Sequence, residues 1–434
     1  MTTCPASSRN ERRHAAALAA ALLWCASSAA HAAGDDDALS LGSAPEPPQA
    51  AASAPRSTRL YAEFAVGRED ERYGLPGQTL SRASLDLYWS GRLAPGWKAV
   101  LSDRFDTQNP PEPGKDHALN SLREAYASWS DEAASWVAEA GRINLRLGPG
   151  YGYNPTDFFR DGSLRTFTTA NPIALRENRM GSVVVRGQRL WQGGSVALAY
   201  SPRLADAPSN DTMSLDLGST NDRNRGLLTL GLQASERVSA QLSLYKDEDL
   251  NVQPGASATA LLSDAIVAYG EWSAGREPTI ADRAWGIQGH TASGQRFAGG
   301  LTYTTATKLS LTAEYQYNGF ALSQSDWNTT VATNPALLVP YLSEAQRRQD
   351  LPTRQGWMLY ATQQDLLRKN LELTGFVQFN PGDHSHVAWL ELRQHWDRVD
   401  LALQWQDNVG DSTSVYGVLP QRRSLQLLLA YHLR

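Results

Sequence analysis

Leu309-Ser310-Leu311-Thr312-Ala313-Glu314-Tyr315-Gln316-Tyr317 alternates without a break: apolar or aromatic residues hold the odd positions, and hydroxyl, carboxyl or amide side chains the even ones. A period of two sends successive side chains to opposite faces of an extended strand, so this segment has one apolar face and one polar face. The same pattern recurs at Leu60, Ala62, Phe64 and Val66, at Leu85, Leu87 and Trp89, and at Leu228, Leu230 and Leu232. It returns at Leu371, Leu373, Gly375, Val377 and Phe379, and at Leu425, Leu427, Leu429, Tyr431 and Leu433. Alternating runs of about ten residues fit a tilted strand that crosses the hydrocarbon layer, where a soluble sandwich would use shorter ones.

The connections carry a second signal. Tight links at Gln192-Gly193-Gly194, Ser235-Glu236-Arg237, Ala306-Thr307-Lys308 and Asp397-Arg398 alternate with longer polar stretches. Short turns at one rim and long loops at the other are the asymmetry of an outer-membrane barrel. The fold expected is therefore all-β: one antiparallel transmembrane β-barrel over residues 59–434, of about eighteen strands, with fourteen or sixteen as alternatives. The weakest stretch for this count is 261–303. Trp89, Trp97, Trp129, Trp136, Trp191, Trp272 and Trp396 are expected to form a girdle at the short-turn rim, where indole rings settle between lipid and water.

Composition agrees and excludes alternatives. The 434 residues carry 40 Lys and Arg against 45 Asp and Glu, a net charge of -5, so no basic excess exists to neutralise phosphates and nucleic acid is not an expected partner. Arg9, Arg12 and Arg13 precede an apolar stretch at 15–24, and Ala30-His31-Ala32 offers a small-x-small cleavage site, so residues 1–32 read as a signal peptide. Trp24 stands where lipoprotein processing at Cys25 needs a small residue. Both cysteines, Cys4 and Cys25, lie in that leader, which leaves no thiol chemistry to the mature chain. Residues 33–58, with Asp35-Asp36-Asp37 and Pro45-Glu46-Pro47-Pro48, are too poor in apolar side chains to fold and read as a disordered periplasmic segment. That segment is too short to plug a 22-stranded receptor.

With its leader, its alternating strands and its final strand Ala430-Tyr431-His432-Leu433-Arg434, the chain resembles a Gram-negative outer-membrane β-barrel of porin-like size. Such barrels usually end in an aromatic residue that the assembly machinery reads, whereas this chain ends in Leu433 and Arg434. The stretch Gly141-Arg142-Ile143-Asn144-Leu145-Arg146-Leu147-Gly148-Pro149-Gly150, continuing to Asn154-Pro155-Thr156-Asp157-Phe158-Phe159, is similar to a Gly-Arg and Asn-Pro-x-Asp signature of several porin-like families. The resemblance implies an outer-membrane location, with lipid, a small solute and the barrel-assembly machinery as partners. Monomer and homotrimer both remain open.

The loop at 148–178 has its own turns and aromatics, and we expect it to fold inward and narrow the lumen. Arg142, Asn144 and Arg146 are expected on the lumen face of one strand, with Ile143, Leu145 and Leu147 toward lipid. Arg142, Asn144, Arg146, Asp157, Arg160, Arg165, Arg176, Arg179 and Arg186 are the candidate constriction residues. Excess arginine there would favour anions. The competing expectation is that these arginines pair with lumen carboxylates such as Glu63, Asp86, Glu124, Glu139 and Glu391. The stretch 337–349 looks amphipathic and reads as a lid or a surface loop, while His384 and His386, two apart, are weak metal-ligand candidates with polar lumen lining as the plainer reading. No Gly-x-Ser-x-Gly elbow, His-Glu-x-x-His helix or phosphate loop occurs, so neither an enzyme nor a cofactor is expected. The function expected is passive diffusion of small hydrophilic solutes, with anion preference only if the arginines are not paired. The alternative is a closed or plugged barrel that serves as a scaffold or secretion partner in an envelope assembly.

Overall fold

The computed structural model describes residues 57–112 and 114–433. The expected signal peptide and nearly all of the Ala/Pro-rich segment lie outside these residues. The first strand begins at Ser57, two residues before the expected start at Arg59.

Eighteen strands follow in order: β1 (Ser57–Glu71), β2 (Gln78–Ala94), β3 (Trp97–Asn109), β4 (Ala118–Ser130), β5 (Trp136–Ile143) and β6 (Ser182–Trp191). Next come β7 (Gly194–Ser201), β8 (Arg225–Ser235), β9 (Val238–Asp247), β10 (Gln253–Ser263), β11 (Ile266–Glu277) and β12 (Ala292–Thr304). The last are β13 (Leu309–Asn318), β14 (Gln355–Gln363), β15 (Leu371–Phe379), β16 (His386–His395), β17 (Val399–Val409) and β18 (Gln421–His432). Each pairs antiparallel with its sequence neighbours, and β18 pairs with β1, for example Leu429 opposite Phe64, so the sheet closes. Closure pairs the first strand with the last and so leaves the sheet no free edge strand, the condition for a sheet in lipid. Among the described residues no helix is long and apolar enough to cross a membrane.

The alternation read from the sequence maps onto the two faces. Phe64, Val66, Leu427 and Leu429 are exposed on the outside of β1 and β18, while Glu63, Ala65 and Leu428 face in. The two-residue links follow even-numbered strands, as from Trp191 to Gly194 and from Ser235 to Val238, and the longest connections, after β5, β7 and β13, follow odd-numbered ones, while the link after β14, 364–370, is longer than those after β1, β9 and β15. The weak stretch 261–303 holds the end of β10, all of β11 and most of β12, where Gly270 and Gly299 take paired outward positions and interrupt the apolar pattern. Trp97, Trp136, Trp191 and Trp396 lie exposed beside short turns as expected. Trp272 does not: it sits midway along β11 and donates to Gln295 at 3.1 Å.

One face assignment is reversed. In β5, Val137, Glu139, Gly141 and Ile143 face inward, and Ile143 packs with Val184, Ala199, Leu227 and Tyr245. Arg142 belongs to the outward set with Ala138 and Ala140, and Asn144 and Arg146 lie beyond the strand's end. The physical reason is an inner apolar seam that takes Ile143, and Leu145 and Leu147 after it. Above the short β5, the edge of β4 is covered by the β7–β8 connection: Asn120 N–H donates to Thr212 O at 2.8 Å.

At the outer end three connections build a small core of their own. The β11–β12 connection carries α1 (Ile280–Ala284), and the β13–β14 connection carries α2 (Gln324–Thr333) and α3 (Leu338–Arg347). Thr279 with Asp282, and Ser323 with Asp326, close reciprocal caps at the first two helices. Trp327, Tyr341, Leu338, Ile280 and Val415 are buried together. The stretch 337–349 is thus a helix that packs its apolar side into this cap. His384 lies in the turn before β16 at φ 59° and His386 opens the strand, so the two do not share a strand face.

Candidate functional site: the lumen constriction

Residues 144–181, between β5 and β6, run into the barrel and cross it. The tip of this loop is Gly148-Pro149-Gly150-Tyr151-Gly152-Tyr153-Asn154, and it meets the opposite wall on two buried carboxylates. Glu271 of β11 accepts from Gly150 N–H at 2.5 Å, Asn154 Nδ2 at 3.1 Å, and Thr156 N–H and Oγ1 at 3.2 and 2.8 Å. Glu314 of β13 accepts from the consecutive N–H groups of Tyr151, Gly152 and Tyr153 at 2.7, 3.0 and 3.1 Å. It also accepts from Tyr269 Oη and Gln316 Nε2, both at 2.7 Å. All these donors are neutral. A buried carboxyl group needs hydrogen-bond partners to offset the loss of water, and here the loop backbone supplies them.

The glycines follow from that approach. A Cβ at Gly148, where φ is 82°, would stand 2.1 Å from Glu271 Oε2, and one at Gly152 would stand 2.2 Å from Met358 Sδ. The motif that marked this segment in the sequence is therefore a backbone docking surface for wall carboxylates.

Beyond the tip the loop is tied down at each turn. Phe158 stacks on Tyr245 with ring centroids 4.7 Å apart. Asp157 binds Arg179 at 2.8 Å and Arg176 at 3.5 Å. Asp161 meets Arg347 at 2.7 Å, Arg223 at 2.8 Å and Arg348 at 3.4 Å, which joins this loop to the β7–β8 connection and to α3. Asp350 accepts from Tyr153 Oη at 3.0 Å and from Arg348 Nε at 3.3 Å, and it also pairs with Arg160. Burial pushes the Asp161 carboxyl up, but Arg348, Arg347 and Arg223 outweigh it and hold the group well below the usual carboxylate range. Asp350 is held low in the same way, with Arg296, Arg160 and Arg348 opposing its burial.

Of the nine expected constriction residues, the structure gathers seven in or beside this loop as paired groups. Arg160, Arg176 and Arg179 have carboxylate partners, and Asp157 is one of those partners. Arg165 is caught by the carbonyls of Ser214 and Asp211 at 2.6 Å each, Asn144 donates to Arg176 O at 3.1 Å, and Arg186 pairs with Glu139 at 3.0 Å. Arg142 instead reaches Leu215 O at 2.7 Å and Leu122 O at 3.1 Å from the outward set. Arg146 is exposed. The expected lumen carboxylates are used as well: Glu63 by Arg82 and Arg104, Asp86 by Arg104 and Arg123, and Glu391 by Arg393. Glu124 accepts from Asn144 N–H at 3.2 Å.

Sequence reasoning missed Glu271, Glu314, Asp350, Arg223 and Arg348. Glu314 stands at a polar position of the alternating run, so its inward face was legible; its partners in the inward loop, more than 150 residues away, were not.

No protein-family model matches the chain, and no curated protein sequence matches it. Among solved structures it is similar to OccAB1 of Acinetobacter baumannii, at 9% identity over 87% of this chain and 96% of that one, with a TM-score of 0.56. It is similar also to a BenF-like porin from Pseudomonas fluorescens Pf-5, at 9% identity over 87% and 98%, with a TM-score of 0.55. For OccK11 (OpdR) of Pseudomonas aeruginosa the figures are 12%, 87% and 95%, and 0.52. What these share with the chain is the fold, that of a closed antiparallel β-barrel of porin-like architecture.

Proposed function

We propose that the chain is a passive channel through which small hydrophilic solutes cross the outer membrane, without a coupled energy source. The observation that carries this reading is the inward loop fixed between β5 and the carboxylates of β11 and β13, which sets the cross-section left for a solute. The BenF-like neighbour is itself described as a porin, which supports the same reading. Anion preference is the finer part of the proposal, and it rests on Arg146, because most of the other arginines already have carboxylates or carbonyls as partners.

Single-channel conductance of the refolded chain in a planar bilayer under a salt gradient tests both parts. Steady openings with a reversal potential on the anion side are expected, and a folded, heat-modifiable barrel that stays silent would overturn the channel. One observation favours the second reading, a closed barrel acting as a scaffold: at mid-height Asp86, Glu314, Gln316 and Ala298 are fully buried, and the charges around them are mutually paired. Silence in the bilayer together with capture of a periplasmic partner would support it.

A further inference from the structure

Asp103 lies midway along β3, six residues above Trp97, or roughly 15 Å in a tilted strand. Its register opposite Leu87 of β2 and Leu122 of β4 places it on the outward face, in a row with Leu101 and Phe105. Other outward carboxylates, Asp70 and Asp407, stand near the outer ends of their strands. Every other acidic residue in the described strands belongs to the inward set. A carboxylate on a lipid-facing surface at this depth is costly, and such groups persist where something polar covers them. Among the described residues Asp103 has one hydrogen-bond partner for its side chain: Asn120 of β4, also outward, donates through Nδ2 at 3.0 Å.

We propose that the outer face of β2 to β5 is a contact surface for a second copy of this chain, with Asp103 and Asn120 at its centre. The pair is self-complementary. Asp103 keeps acceptor lone pairs beyond the one used, and the Asn120 amide keeps a second N–H, so the same two residues on another copy supply what each lacks. The surface around them is apolar: Leu87, Leu101, Phe105 and Leu122 flank the pair on the outward face, and Ala83, Ala99, Ala125 and Ala140 hold further outward positions of these strands. A recess of about 570 Å³ opens beside it, walled by Phe64, Val66, Leu427 and Leu429 on one side and by Ala83 and Thr107 on the other. A neighbouring barrel can seat side chains there. Lipid alone would leave the Asp103 carboxylate with a single donor.

Cross-linking in intact outer membranes tests this without reference to conductance, so failure of the channel reading and failure of this one are distinguishable. The only cysteines of the chain are Cys4 and Cys25, in the expected leader, so single cysteines introduced into the barrel report on themselves. Leu101→Cys, two residues from Asp103, should give a cross-linked band of two or more chains on copper-catalysed oxidation, while Leu403→Cys on the leucine-rich β17 and the unsubstituted chain should not. Adding Asp103→Leu to Leu101→Cys should abolish the band, while heat-modifiability shows the barrel still folded. Equal cross-linking at Leu101→Cys and Leu403→Cys, no cross-linking at either, a product with a different protein, or a band unaffected by Asp103→Leu would each overturn the proposal.

Discussion

The backbone N–H of Gly150 donates to Glu271 Oε1 at 2.5 Å, from a loop that begins six strands away around the barrel. This contact and its counterpart at Glu314 decide whether the loop stays across the lumen. Glu314→Gln replaces an oxygen that accepts by an amide that donates, and it sets that amide against N–H groups of residues 151–153. A hydrogen bond of this kind contributes about 0.5–1.5 kcal/mol net, and a buried unmatched donor costs about 1–3 kcal/mol. Single-channel conductance of E314Q and E271Q should therefore rise, with added flicker, relative to the unsubstituted chain. Unchanged traces would mean the loop is held elsewhere. Gly152→Ala should act the same way by contact with Met358.

The sequence made the barrel legible because a closed sheet between lipid and water imposes a period of two on almost every strand, and Leu309 to Tyr317 obeys it fully. Where glycines take apolar positions, as on β11 and β12, the count was weakest. The inward loop was legible from its length and its Asn-Pro turns, but its attachment was not. Glu271 and Glu314 meet the loop largely through backbone N–H groups, and Asp350 through a phenol and Arg160, and residue pattern announces none of the backbone contacts. Ile143 was misplaced for a related reason: a strand that packs a loop against its inner face carries apolar residues on both faces, so alternation no longer tells inside from outside.

The lock between the inward loop and the cap should be insensitive to mild acid. Asp161 and Asp350 have carboxyls held well below the ordinary range. A group depressed in this way contributes stability that is complete above the pKa of the free carboxyl, about 4, and is lost only as pH falls through the depressed value. Conductance should then be flat from about pH 4.5 to 8 as far as this lock is concerned. An opening transition inside that window would assign control to other groups. Asp350→Asn removes the charge shared by Arg160, Arg348 and the nearby Arg296, and breaking such a buried set costs about 3–5 kcal/mol. D350N should open the channel at every pH in that window.

The cap has its own keystone. Trp327 is fully buried among Ile280, Leu338, Tyr341 and Val415, and its indole N–H donates to Thr413 O at 2.9 Å. Trp327→Ala should cost about 3–5 kcal/mol, all of it outside the membrane, because the strands do not share this core. Limited proteolysis should then cut within 319–354 and 410–420 while the barrel keeps its heat-modifiable migration. Loss of that migration would show that the cap and the strands fold as one unit.

Charge preference separates the arginines by what already neutralises them. Arg146 is the exposed member of the nine, so Arg146→Gln removes a charge that a passing ion feels and should move the reversal potential toward cations. Arg186→Gln should do the same for a different reason, since it leaves Glu139 without its partner and adds net negative charge near the lumen. Arg165 has four backbone carbonyls within reach, of Asn120, Ser209, Asp211 and Ser214, and lies 4.0 Å from Asp216. Arg165→Gln should therefore loosen the loop contacts, read as conductance noise, with little change in reversal potential. If all three substitutions shifted the potential equally, the arginines would act through their summed field and not through their individual exposure, and the pairing seen here would not govern selection.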